Sequence, residues 1–269
     1  MKNNLTEEKV SIGIFGGSGF YSLFTDAEER LIETPYGAPS DKVVIGTIAG
    51  KKVAFMPRHG SNHQYPPHMI NYRANVWAMK SIGVERLISP CAAGSLVKEA
   101  APGDFVICDQ YVDRTSARKD TFYDGPIATH ESAAEPYCPQ LREIAVEAGK
   151  ANLLKMHARG TVVVRQGPRF STTAESKWFS NQGWTVVNMS QYPEAHLARE
   201  LSMCVVNISL VTDYDSGLVG QVEPVSHAQV VAVFNSNLGK LKKMLGTFIE
   251  NIPQQRKCSC ANTLQNSRV

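Results

Sequence analysis

The chain has 269 residues, 43% hydrophobic and 20% charged, and its 28 basic and 25 acidic residues give a formal net charge of +3. That apolar fraction excludes disorder as the main state, and the length allows a sizeable core without disulfide staples. Near-neutral charge with no run of five like charges excludes the basic patch that nucleic acid requires, and no apolar run reaches the ~18 residues of a membrane helix.

Met1 to Val10 is polar and mixed in charge, unlike a secretory leader, so the expected compartment is the cytoplasm. Val10–Phe15 is the first predicted strand. Gly16-Gly17-Ser18-Gly19 follows it, a tight turn that leaves main-chain amides and the Ser18 hydroxyl free to face an anion. Its spacing fits neither a dinucleotide loop nor a P-loop, and a plain turn explains it equally well. Strands Val43–Ile48 and Lys52–Met56 come next. The second runs into Pro57-Arg58-His59-Gly60, where an Arg-His pair at a strand end can clamp an oxyanion. Asn62, His63, His68 and Asn71-Tyr72 are further polar landmarks, although a solvated loop position accounts for His68.

Tyr72–Ile82 reads as a helix and Arg86–Ser89 as a strand, followed by the small residues Cys91-Ala92-Ala93-Gly94-Ser95. Such a stretch either admits a ligand to main-chain amides or makes a close-packed turn. Strand Phe105–Ile107, helix Pro139–Ala151 and strand Thr161–Val164 lead to Gln166–Glu175. There Phe170 can stack on a flat ring or fill the core. Helix Ala174–Asn181 and strand Thr185–Met189 precede Ser190-Gln191-Tyr192-Pro193-Glu194 and helix Pro193–Leu201. Strand Val205–Val211 ends in Thr212-Asp213-Tyr214-Asp215. Two carboxylates one residue apart raise one pKa and leave a proton for donation. With no third carboxylate nearby, a divalent metal is not expected there. Ser226 is a candidate N-cap for a last helix with an apolar stripe at Val230, Val231, Phe234, Leu238, Leu241, Leu245 and Phe248. From about Gln254 the chain reads as a polar tail.

Strand–helix alternation with continuously apolar strands predicts an α/β fold. We expect one domain over 1–269, its central mixed, largely parallel sheet flanked by helices. Five or six polar loops lie at strand ends, where ligands of such sheets gather. Cys91, Cys108, Cys138, Cys204, Cys258 and Cys260 read as free thiols. Cys258-Ser259-Cys260 lacks the C-x-x-C spacing of zinc sites, and no second pair follows it, so no metal is expected.

Taken together, Gly-Gly-Ser-Gly, Thr34-Pro35-Tyr36-Gly37, Pro-Arg-His-Gly, Asp113-Arg114-Thr115, Gly-Pro-Arg-Phe-Ser-Thr, Tyr-Pro-Glu and Thr-Asp-Tyr-Asp occur in this order over about residues 10–252. This set resembles the trimeric purine nucleoside phosphorylase superfamily, and within it the branch that acts on 5′-methylthioadenosine. The resemblance implies phosphate binding by Ser18, Arg58, His59, Ala92 and Ser190. It implies purine and ribosyl contacts from Phe170, Ser171, Met189, Asp213 and Asp215. Asp215 would assist departure of adenine at N7, Asp213 would share recognition of N7 and the 6-amino group, and no metal or organic cofactor would be needed. His130 would reach a neighbouring subunit's site, which implies a homotrimer or a dimer of trimers.

Relatives preferring 6-oxopurines carry Glu and Asn where this chain has Ser171 and Asp213, so adenine-type bases are expected. His227 departs from the methylthioadenosine pattern. It leaves open a broader purine nucleoside phosphorylase acting on adenosine, inosine or guanosine. A non-catalytic purine-binding relative would lack a phosphate or purine ligand, and none is missing. Thermophilic members also carry disulfides and a C-terminal C-x-C, which Cys138, Cys204, Cys258 and Cys260 match. A Cys138–Cys204 bond would close a loop of about 66 residues and add about 3–4 kcal/mol.

Overall fold

The continuously apolar segments are strands covered on both faces. In the computed structural model, which describes residues 10–17, 24–217, 225–265 and 267, the strands are β1 (Ile12–Gly16), β2 (Thr25–Arg30), β3 (Val43–Ile48), β4 (Lys51–Pro57), β5 (Arg86–Ser95), β6 (Phe105–Val106), β7 (Gln110–Arg114), β8 (Met156–His157), β9 (Thr161–Arg165), β10 (Val186–Asn188) and β11 (Cys204–Tyr214). The helices are α1 (Tyr72–Ser81), α2 (Pro139–Ala151), α3 (Thr173–Asn181), α4 (Gln191–Glu200) and α5 (His227–Asn251). Helix starts follow local capping chemistry. Asn71 accepts from the Ala74 amide, Ser226 accepts from the Gln229 amide, and Thr172 with Glu175 forms a reciprocal capping box.

All the strands join one mixed sheet in the order β2-β3-β4-β1-β5-β10-β9-β7, with β11 pairing β5 and β6, and β8 pairing β6. β5 is the hub. It runs parallel to β1 from Ile12 opposite Arg86, and parallel to β11 from Cys204 opposite Arg86 to Tyr214 opposite Ser95. Its last residues pair antiparallel with β10. The small residues Cys91–Ser95, read from sequence as a loop after a short strand, are therefore the second half of this strand. β5 thus holds β11 along one edge for its whole length, and along the other edge β1 first and then β10.

The sequence did not reveal β2, β7 or β8. β2 is Thr-Asp-Ala-Glu-Glu-Arg at the sheet edge, where charge guards an open ladder rather than signalling a strand. β7 is only partly covered, and β8 is two residues long.

Helices α1 and α4 pack on one face of the sheet with Ala74, Val76, Ala78, Ala195, Leu197 and Ala198. On the other face α2 and α5 bring Leu141, Ala145, Leu241, Leu245 and Phe248. Residues 254–265, expected as a polar tail, pack back onto this layer. Cys260 is buried, Arg256 Nη1 donates to the Ser202 carbonyl, and Thr263 Oγ1 donates to the Arg199 carbonyl. No helix among the described residues is long and apolar enough to cross a membrane.

Candidate active site

At one end of the sheet the ends of β4, β5, β9, β10 and β11 meet the first turns of α5 around a cavity of about 610 Å³. Of the residues singled out from sequence, Arg58, His59, Ala92, Phe170, Ser171, Met189, Ser190, Asp213, Asp215 and His227 all line it. Ser18 lies outside the described residues, although Gly17 beside it lines the cavity. His130 is exposed and does not line the cavity of its own chain.

Arg58 is 3% exposed. Its Nε donates to Glu194 Oε2 at 2.6 Å and its Nη2 to Glu194 Oε1 at 2.9 Å, a two-pronged buried ion pair. Nη2 also donates to Ser89 Oγ at 2.9 Å, and Nη1 to the Pro90 carbonyl at 3.3 Å. Ser89 Oγ in turn donates to Glu194 Oε1 and accepts from Gln191 Nε2, both at 2.5 Å. A satisfied polar network of this kind holds the guanidinium in one orientation and cancels most of its charge. One Nη1 hydrogen remains for the cavity. Sequence reading quoted Glu194 only as part of Tyr-Pro-Glu and gave it no role. Its lone signal was a carboxylate in the first turn of a predicted helix.

His59 departs from the donor role expected of it. Its Nδ1 lies 2.8 Å from the Tyr65 carbonyl, which fixes Nδ1 as the protonated nitrogen. Burial, with Arg58 and His63 nearby, pushes its pKa down to about 4. The ring is neutral at physiological pH and its Nε2 is an acceptor. His63 stacks on it with centroids 4.5 Å apart and also lines the cavity. Ser190 occupies the N-cap position of α4 but its hydroxyl makes no cap bond, so it is free for a ligand. Cys91 Sγ receives hydrogen bonds from Asn188 Nδ2 at 3.2 Å and Asn207 Nδ2 at 3.3 Å.

At the other end stand the two carboxyls. The ladder between β11 and β5 shifts register between Val211 and Asp213, and this bulge sets Asp213 opposite Gly94. A Cβ on Gly94 would meet Asp213 Oδ1 at 2.9 Å and Asp215 Cβ at 3.2 Å, so only glycine leaves room for both acids. Burial raises the Asp213 pKa to about 6, helped by Asp215 and opposed by the Thr212 hydroxyl, which donates to Oδ2 at 2.8 Å. Burial raises Asp215 as well, against Ser171, Ser176 and the Arg165 charge. Asp215 Oδ2, Ser171 Oγ and Arg165 Nε and Nη1 are buried without a hydrogen-bonding partner, and these residues line the cavity. Unsatisfied polar atoms on residues that line a cavity are capacity the fold leaves for a ligand. Sequence gave no sign of Arg165, because it ends a strand in which three valines precede it.

Between the two ends lie Met189, Phe170 and the first turns of α5, with Val230, Val231, Phe234 and Leu238. Arg118 braces this wall from behind. It donates to the Gln166 carbonyl at 2.9 Å, to the Met189 carbonyl at 3.0 Å and to the Tyr192 carbonyl, with Tyr72 under its guanidinium. The cavity thus has a donor-rich end, an apolar middle and a carboxyl end.

Comparison with known proteins places relatives on this frame. The phosphorylase superfamily profile matches residues 11–250. S-methyl-5'-thioadenosine phosphorylase of Thermofilum pendens is 50% identical over 264 residues, covering 97% of this chain and 100% of that protein. A protein of Streptomyces coelicolor named purine nucleoside phosphorylase is 46% identical, covering 95% of each chain. Among solved structures, methylthioadenosine phosphorylase from Schistosoma mansoni in complex with adenine superposes with a TM-score of 0.91 at 33% identity, covering 97% of this chain and 99% of that one.

Proposed function

Since the chain belongs to the phosphorylase superfamily, we propose that it cleaves 5′-methylthioadenosine with phosphate, giving adenine and 5-methylthioribose 1-phosphate. It is a pentosyltransferase of the purine nucleoside phosphorylase type. The observation that carries this reading is one cavity with an arginine-anchored donor end and a two-carboxyl end. Relatives named for that reaction at 50% identity support it.

Phosphate sits at the donor end. The free Arg58 hydrogen, the Ala92 amide and the Ser190 hydroxyl donate to it, and Ser18 completes the cradle. His59 Nε2 accepts from the protonated oxygen of hydrogen phosphate. Because Glu194 neutralises Arg58, the anion keeps its charge directed at the sugar rather than at the protein. As the N-glycosidic bond loosens, that charge stabilises the oxocarbenium-like ribosyl group, and a phosphate oxygen attacks the anomeric carbon with inversion. Met189 lies against the sugar and Phe170 against the purine.

The electrostatics exchange the two acid roles suggested by motif resemblance. Asp213, with a pKa of about 6, is the better proton holder and assists adenine at N7. Asp215, with the Arg165 charge nearby and its own Oδ2 unpartnered, is the acceptor for the 6-amino group. The Asp215 carboxylate repels a 6-carbonyl, so adenine is preferred over hypoxanthine. Phosphate is the co-substrate, and the chemistry calls for no metal or organic cofactor. The working unit is a homotrimer, alone or paired, in which His130 reaches a neighbour's sugar site. The enzyme serves purine and methionine salvage in the cytoplasm.

A second reading has one specific observation in its favour. His227 lines the apolar wall, where a methylthio group needs no donor, and a donor there suits a 5′-hydroxyl. The broader activity would include adenosine. Both readings are tested by initial rates on methylthioadenosine, adenosine and inosine, each with and without phosphate. We expect phosphate-dependent release of adenine, fastest from methylthioadenosine, and negligible turnover of inosine. Full-rate release without phosphate, or a preference for inosine, overturns the proposal.

A further inference from the structure

Away from the cavity, four of the six cysteines meet at one point. Cys138 is the residue before α2, Cys204 opens β11, and Cys258 and Cys260 flank Ser259 at the short 3-10 turn Ser259–Asn262. Their sulfurs all lie within 4.8 Å of one another, and Cys204 Sγ is 3.4 Å from Cys258 Sγ. Three of the four are buried and Cys258 is half-buried. None lines the cavity.

The geometry points to a structural metal site: Cys138, Cys204, Cys258 and Cys260 bind one zinc ion as a closed four-thiolate tetrahedron. With Zn–S bonds of about 2.3 Å, tetrahedral sulfurs stand about 3.8 Å apart. The Cys204–Cys258 separation of 3.4 Å and the 4.8 Å upper bound for the set lie on either side of that value. All six cysteines are free thiols here, so two S–S bonds of about 2.0 Å do not account for the cluster. Four soft sulfur donors and no oxygen donor select zinc over magnesium or calcium.

Binding replaces four thiol protons with one dication and leaves two negative charges on the cluster. The N-terminus of α2 beside Cys138 offsets part of that charge. Sequence spacing hid the site. The C-x-C pair has no second pair near it in the chain, and the fold supplies the other two ligands from 54 to 122 residues upstream. The ion fastens residues 254–265 to the α2–β11 layer. Its position outside the cavity makes it independent of the phosphorylase reading.

Full-length protein, expressed with zinc in the medium and purified without chelator, should carry one zinc per chain by elemental analysis. Replacing zinc with Co²⁺ should give the intense thiolate-to-cobalt charge-transfer band and the visible bands of tetrahedral cobalt. Denatured in chelator without reductant, the protein should show six titratable thiols. Cys258→Ser/Cys260→Ser should lose the metal and unfold at lower temperature while keeping its turnover at moderate temperature. The cobalt spectrum of the unmutated protein stands even where that variant folds poorly. Absence of metal overturns the site, whether the thiol count is six, meaning an unmetallated cluster, or two, meaning two disulfides.

Discussion

Asp213 shows how one residue acquires its chemistry from its surroundings. An aspartate in water titrates near 4, and this one is raised to about 6 because burial penalises its charge. A raised carboxyl pKa costs the folded state stability at pH above 6. That cost shrinks as pH falls from 6 towards 4 and vanishes below the unfolded pKa. Asp213→Asn removes the charge. It should raise stability by about 1–3 kcal/mol at pH 7.5 and by almost nothing at pH 4. The same change should lower kcat by at least about 100-fold, since the amide cannot pass a proton to N7. Denaturation curves at the two pH values, set beside kcat, check this. A variant that is no more stable at pH 7.5, or that keeps its kcat, removes Asp213 from the acid role. In the unsubstituted enzyme kcat/KM should fall as pH rises above about 6. Arg58 is the opposite case. Its strand-end position marked it in sequence, but Glu194, 136 residues away, determines that it presents one N–H rather than a bare cation.

Helix α5 carries one apolar stripe with two jobs. Its later turns, at Leu241, Leu245 and Phe248, are fully buried against α2 and the sheet. Its first turns, at Val230, Val231, Phe234 and Leu238, line the cavity. Periodicity of 3.6 reports an apolar face and is silent on whether protein or ligand covers it. Leu245→Ala should cost about 2–5 kcal/mol, as truncation in a closed core does, with KM unchanged. Leu238→Ala should cost less than about 1 kcal/mol and raise KM for methylthioadenosine several-fold. Urea midpoints and KM for the two variants separate the roles; equal losses of stability would show the stripe to be core throughout. In β11 the bulge at Val211–Asp213 matters more than the strand itself. Without it, alternation would turn Asp213 to the opposite face of the sheet.

At the scale of the whole molecule, the segment bearing His130 is tied to α4. Thr121 Oγ1 donates to Glu200 Oε1 at 2.6 Å, the Phe122 amide donates to Oε2 at 2.7 Å, and Arg199 pairs with Glu131 at 3.0 Å. These anchors present His130 outward, away from its own cavity. In the proposed trimer it completes a neighbour's site. His130→Ala should therefore raise KM for the nucleoside without changing oligomer size. Mixing it with Asp213→Asn protein under conditions that exchange subunits should give more activity than the two alone, because intact sites form between unlike chains. No gain after exchange, verified by mass, argues that each chain works with its own residues only.

Sequence by itself determined the α/β class, most of the helices and apolar strands, and the loops that hold the site. Those follow from local rules: periodicity, capping residues and turns at strand ends. It also brought the acidic pair Asp213 and Asp215 to notice, because their spacing is chemistry written within four residues. Only the tertiary structure decided that Arg58 is neutralised by Glu194, that His59 is an uncharged acceptor held by Tyr65, and that Arg165 brings its charge to Asp215 with Nε and Nη1 unsatisfied. It alone turned Cys91–Ser95 into the sheet's hub strand and folded the C-terminal segment back to bring Cys258 and Cys260 to Cys138 and Cys204. The physical reason is common to all of these. Charge state and donor direction depend on what lies within a few ångströms, and those neighbours come from parts of the chain that no local pattern connects.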